Sequence, residues 1–169
     1  MNLIAPVLAN GAPADISFRV KFVHSPFVQK KGAPQGTPGE GRTTTCSIAV
    51  ASPAPINSFS EEGPTKEGQE KVYLTPIAEA TSICKGADVN SWSAAYGRKN
   101  SLEKALRVLI DREKYTTSHA FVKQGLAGCP FVFTDNTVKA FIKALHDKYP
   151  RAWDLACAQS KQTPTVYSK

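Results

Sequence analysis

Several familiar signatures are missing from this 169-residue chain. It has no apolar run near the ~18 residues that a membrane-crossing helix requires. The opening MNLIAPVLANGAPADI lacks the basic segment of a secretory signal, and Pro6 breaks its apolar stretch. A cytoplasmic protein is therefore expected. Cysteine is sparse: Cys46, Cys84, Cys129 and Cys157 lie far apart, with none at the short spacing of zinc ligands. Reduced, buried thiols are the expectation, with no metal and no cofactor. Histidine is scarcer still, at His24, His119 and His146. The chain contains no HExxH, no GxSxG, no P-loop lysine and no CxxC, so no catalytic residue is nominated. There is no internal repeat.

What is present is positive charge, unevenly placed. Residues 1–84 carry seven Lys or Arg and seven Asp or Glu, whereas residues 85–169 carry fourteen and seven. The net charge of +7 therefore belongs to the second half. A balanced half followed by a basic half points to an anionic partner, either a nucleotide or a nucleic acid.

The order of patterns predicts an α+β fold, with an antiparallel sheet from the N-terminal half and two to three helices from the C-terminal half on one face. Residues 1–14, with Pro6, Gly11 and Pro13, read as an N-terminal arm ordered only on docking. A single domain over 15–160 follows, mostly β to residue 84 and mostly helical from 85, and 161–169 form a tail. Strict alternation from Ile16 to Phe22 marks a strand with Ile16, Phe18, Val20 and Phe22 inward. Thr43 to Val50 is a second strand, and Val72–Leu74 with Ile77–Cys84 supply one or two more, with Pro76 at an edge or break. The Gly- and Pro-rich stretches 29–41 and 52–70 read as long loops, and 115–134 holds short apolar segments such as Phe131-Val132-Phe133.

Two long helices follow. In the first, Asn100 with Glu103 reads as a capping box. Leu102, Ala105, Leu106, Leu109 and Ile110 then form one apolar stripe, predicting a helix from about Ser101 to Lys114. In the second, Asp135 or Asn136 is the expected cap and Val138, Phe141, Ile142, Leu145 and Tyr149 the apolar face. Pro150 ends it and opens a third, over about 151–159.

The candidate site lies at the entrance to the first long helix. Arg98 and Lys99 precede the expected N-terminus at Asn100 and Ser101. Unpaired first-turn N–H groups and the positive end of the helix dipole there favour an anion. Gly97 permits close backbone approach, and Trp92 and Tyr96 offer flat faces for a base. Phosphate suits this arrangement best. For nucleic acid instead, Lys104, Arg107, Lys139 and Lys143 would contact the backbone. The period-2 geometry of the first strand puts Arg19 and Lys21 opposite Phe18 and Phe22, which argues against an aromatic-sheet nucleic-acid platform.

Thr81-Ser82-Ile83-Cys84, Asp88, Trp92-Ser93, Gly97-Arg98, Ser101-Leu102 and Ala105-Leu106 form a strand, turn and helix pattern. It resembles an element of small phage and prophage accessory proteins, and is similar to phage anti-Thoeris sponges, which sequester cyclic nucleotide signals without cleaving them. That resemblance implies a cytoplasmic, homo-oligomeric counter-defence protein, with Arg98 as a phosphate contact and Trp92 as the stacking aromatic. A nucleic-acid-binding accessory protein and a protein inhibitor of a host defence complex are the alternatives.

Overall fold

The computed structural model describes residues 1–27, 41–84, 94–110 and 131–150. They form a six-stranded antiparallel sheet with two helices packed against it. The strands are β1 (Asn2–Ala9), β2 (Ala12–Phe27), β3 (Gly41–Ser52), β4 (Glu61–Glu62), β5 (Tyr73–Cys84) and β6 (Phe131–Val132). The helices are α1 (Ala94–Ile110) and α2 (Asp135–Lys148). The order across the sheet is β4-β5-β3-β2-β1-β6. The α+β architecture agrees with the sequence, and among the described residues there are two helices. The third, expected over about 151–159, lies outside them, as do the 29–40 part of the first Gly/Pro loop and the tail.

The N-terminal segment is not an arm. It forms β1 and the start of β2, a hairpin whose Asn10 (φ 52°) and Gly11 (φ 78°) form a two-residue turn between Ala9 and Ala12. Two successive residues with positive φ match the right-handed twist of the strands, which is why Asn-Gly suits this position. The prolines are accommodated by register. Met1 and Val20 exchange both backbone bonds at 2.8 Å, so alternate residues of β1 point their N–H groups toward β2. Pro6 falls on the other parity, where no β2 bond is needed, and its carbonyl accepts instead from the Thr137 hydroxyl of α2. Pro13 faces the β3 side, but β3 pairing begins only at Ser17.

Alternation puts Phe18 and Val20 of β2, and Thr44, Cys46, Ile48 and Val50 of β3, on the buried face. Ile16 and Phe22 pack more loosely against the same core. Both helices lie on this face, α1 over β3 and β5 and α2 over β1. Phe18 meets Phe141 of α2 and Phe133, with ring centroids 5.1 and 5.6 Å apart. Burying each such ring stabilises the fold by about 1.5–3 kcal/mol. Pro76 sits opposite Ala49 beside a register shift, on a part of β5 that β4 does not cover, so the ladder tolerates it. The sixth strand comes from the C-terminal half, from the Phe131-Val132 segment. The 52–70 loop contains β4 and a turn in which the Ser60 hydroxyl accepts from the Ile56 and Asn57 N–H groups and bonds Thr75 at 2.7 Å.

Helix boundaries depart from the sequence pattern. α2 is capped by Thr134, not by Asp135 or Asn136. The Thr134 N–H donates to Thr137 Oγ1 at 3.0 Å, making a capping box with threonine at both ends. α1 starts at Ala94, so Asn100 is well inside it. Glu103 pairs with Lys99 instead of reaching back to a cap. Ile110, placed on the apolar stripe, is exposed at the end of α1. Among the described residues no helix is long and apolar enough to cross a membrane.

Candidate functional site

The early start of α1 redistributes the described residues nominated for anion binding. Arg98, Lys99, Asn100 and Ser101 do not flank a helix N-terminus. Their N–H groups lie within the helix, so the arrangement of first-turn donors expected there is not formed. Tyr96 is buried in the core. Gly97 is needed for packing: a Cβ at this position would lie 2.1 Å from Thr44 Oγ1 and 2.9 Å from Thr44 Cβ. Ser101 is buried and its hydroxyl donates to the Arg98 carbonyl at 3.3 Å. Asn100 is buried with its Nδ2 unpartnered. Lys99 Nζ is held 2.8 Å from Glu103 Oε1. Trp92 lies outside the described residues.

Arg98 has a different destination. Its guanidinium carbon sits 4.3 Å from the ring centroid of Tyr149, just past the end of α2, and the side chain lines an open cavity of about 340 Å³. This cavity lies where the β1–β2 pairing ends and β2 continues against β3, beside Arg98 of α1 and Tyr149 at the end of α2. β2 contributes Arg19, Lys21 and His24 to it, with Phe22 as an apolar wall. The α-amino group of Met1 adds a further cation and donates to the Val20 carbonyl. Among the described residues no carboxylate lines it. Two residues set aside at the sequence level, Arg19 and Lys21, thus join Arg98, which they could not be seen to approach.

The side chains here are held in place. Arg19 Nε donates to Asn2 Oδ1 at 3.1 Å, across the Asn2–Arg19 pair of the hairpin. Stacking on Tyr149 orients the Arg98 fork, a favourable cation–π contact. His24 Nδ1 is 2.8 Å from Thr44 Oγ1, and Thr44 is fully buried beneath Gly97. Partial burial pushes the His24 imidazole pKa below its usual value, and the nearby Arg98 charge pushes it the same way. Burial likewise lowers the Met1 amino pKa, with smaller contributions from Lys148 and Arg19. Both shifts come first from burial, and neighbouring positive charge adds to each in the same direction.

The nucleic-acid candidates are not brought together in this way. Lys104 Nζ donates to the Thr81 carbonyl at 3.0 Å and is half-buried, with its pKa lowered by burial and then by Arg107. Arg107 is exposed on α1, and Lys139 and Lys143 are exposed on α2, where Lys143 lies 3.5 Å from Asp147. Among the described residues no group of His, Cys, Asp and Glu is arranged to hold a metal ion. Cys46 is a free, buried thiol whose pKa burial drives far above the ordinary range. Cys129 and Cys157 lie outside the described residues.

No protein-family model, curated protein or solved structure matches this chain, and the site is read from its own geometry.

Proposed function

We propose that this chain is a non-enzymatic binding protein that holds a phosphate-bearing, nucleotide-like ligand in the cavity at the corner of β1 and β2. One observation carries the reading: Arg98 of α1 and Arg19, Lys21 and His24 of β2 line a single cavity, and among the described residues no carboxylate lines it. Like charges gathered without a counter-charge repel one another, and an anion of matching size relieves that cost. Guanidinium and ammonium donors bind phosphate oxygens through charge-assisted hydrogen bonds, about twice as strong as neutral ones. The volume falls within the ~300–1,000 Å³ range of small-molecule sites. Arg98 is the principal phosphate contact in this reading, with Arg19 and Lys21 as its partners, and the Tyr149–Arg98 stack offers a planar surface beside it.

Binding without turnover fits the one hydroxyl–imidazole pair at the cavity. Thr44 and His24 are hydrogen-bonded, but Thr44 is fully buried and its hydroxyl cannot reach a ligand. Sequestration of a nucleotide signal by a cytoplasmic phage counter-defence protein, acting as a homo-oligomer, is the finer form of the proposal. Its support is the sequence resemblance around Gly97-Arg98.

Titration calorimetry with adenosine 5′-monophosphate tests the site. Arg98→Ala is expected to weaken binding by roughly 1.5–3 kcal/mol, the usual worth of a hydrogen bond to a charged group, while circular dichroism shows the fold retained. Equal affinity in mutant and wild type refutes the assignment. The nucleic-acid alternative, which draws on exposed Arg107, Lys139 and Lys143, predicts a different salt response. Each phosphate neutralised steepens the loss of affinity with salt, so tight, strongly salt-dependent binding of random DNA duplex would favour it.

A further inference from the structure

We propose that His24 is the specificity-determining residue of this cavity, taking up a proton when a ligand's terminal phosphate dianion enters and so favouring phosphate monoesters over diesters. The proposal rests on the cavity being the anion site described above, and it names the class of phosphate that site takes.

The geometry singles out His24 among the cavity's cationic groups. Arg98, Arg19 and Lys21 carry a fixed charge, whereas the imidazole and the Met1 α-amino group change charge near neutral pH, and of these two the amino group is already committed to the Val20 carbonyl. Its ring lines the cavity while Nδ1 is anchored on Thr44 at 2.8 Å. Thr44 is itself wedged under Gly97 of α1, so the ring has a fixed seat. Among the described residues the charge that acts on the ring is the Arg98 guanidinium of α1. The Met1 amino group lines the same cavity, as do Arg19 and Lys21, which alternate to the other face of its own strand. From α2 the neighbour is Tyr149, and from β3 it is the neutral Thr44 hydroxyl.

Partial burial, and after it the Arg98 charge, holds the imidazole pKa below its ordinary value, so the ring is largely neutral at pH 7. A bound dianion reverses the sign of the local field. The imidazole then gains a proton from solvent and becomes a further charge-assisted donor. A diester carries a single negative charge, which offsets less of the surrounding positive charge and draws the proton less strongly. The difference in proton uptake is therefore a difference in affinity.

The experiment compares adenosine 5′-monophosphate with its 3′,5′-cyclic diester by calorimetry between pH 7 and 8, in buffers of different ionisation enthalpy. Above pH 7 the monoester is already largely dianionic, its second pKa being about 6, so net uptake reports on the protein. The wild type is expected to take up a fraction of a proton with the monoester and less with the diester. Its monoester affinity should rise as pH falls, by up to about tenfold per pH unit. His24→Gln should still bind the monoester but lose both the uptake and most of the preference, and His24→Asn serves as a second non-titrating variant should the first misfold. Monoester binding without proton uptake in the wild type overturns the role of His24 while leaving the cavity as an anion site. Retained uptake and preference in the folded variants do the same. Absence of any monoester binding to the wild type removes the underlying site and this proposal with it.

Discussion

Replacing Gly97 with alanine tests the packing on which the whole corner depends. In an exposed helix the change would stabilise the protein by about 1 kcal/mol, because alanine is the better helix former. Here the new Cβ would stand 2.1 Å from Thr44 Oγ1 and 2.9 Å from Thr44 Cβ. Rotating Thr44 could move its hydroxyl away, at the cost of the bond to His24, but would not move its Cβ. Either α1 lifts from β3 or the strand gives way. Overpacking of this kind costs about 1–3 kcal/mol, occasionally more. Set against the gain in helix propensity, a net loss of up to about 2 kcal/mol is expected. For a chain of this size each kcal/mol lowers the melting temperature by roughly 2–4 °C, so the midpoint in scanning calorimetry should fall, by up to about 8 °C. Thr44→Ala should absorb part of the penalty, and the double variant should be more stable than the two single losses sum to. A higher melting temperature for Gly97→Ala would refute the reasoning, because it would mean that α1 does not press on Thr44.

Two further outcomes follow from the same contacts. Thr137→Val removes the hydroxyl that both accepts from the Thr134 N–H and donates to the Pro6 carbonyl, leaving two partly buried groups without these bonds. Urea denaturation should show a loss of about 1–3 kcal/mol, and an unchanged midpoint would show that α2 is not tied to β1 there. The lowered pKa of His24 makes the unfolded chain bind more protons than the folded one once pH drops below about 6.5. Stability should therefore decline as pH falls through that value toward the folded pKa. In His24→Gln the decline between pH 7 and 5 should be shallower, and identical slopes would show that His24 is not held in a desolvated, positively charged setting.

Much of the fold was legible in the order of residues. The alternation from Ile16 to Phe22 marks the core face of β2, and Phe141 and Leu145 mark the buried stripe of α2. Asn10-Gly11 carried the hairpin signal as well, although Pro6 and Pro13 read locally as breakers. They are harmless because their missing N–H groups fall on the parity or beyond the end of the neighbouring strand, and register is a property of the pairing partner. The start of α1 was obscured for a similar reason. Asn100 and Glu103 have the spacing of a cap, and Gly97 looks like a residue that precedes a helix. Only the approach of β3 explains a glycine inside one.

The candidate site divides along the same line. A basic chain with few histidines, and Arg98 among its cations, was readable without a structure, and so was the expectation of an anionic partner. Which cations act together was not. Arg98 is remote in sequence from Arg19, Lys21 and His24, and Tyr149 is remote from all of them. They meet at the stretch of β2 beyond its pairing with β1, where α1 and the end of α2 dock beside it. Local sequence sets periodicity, charge and chain direction, since these act between near neighbours. The juxtaposition of charges depends on long-range pairing and helix docking, which exist only once the core has assembled.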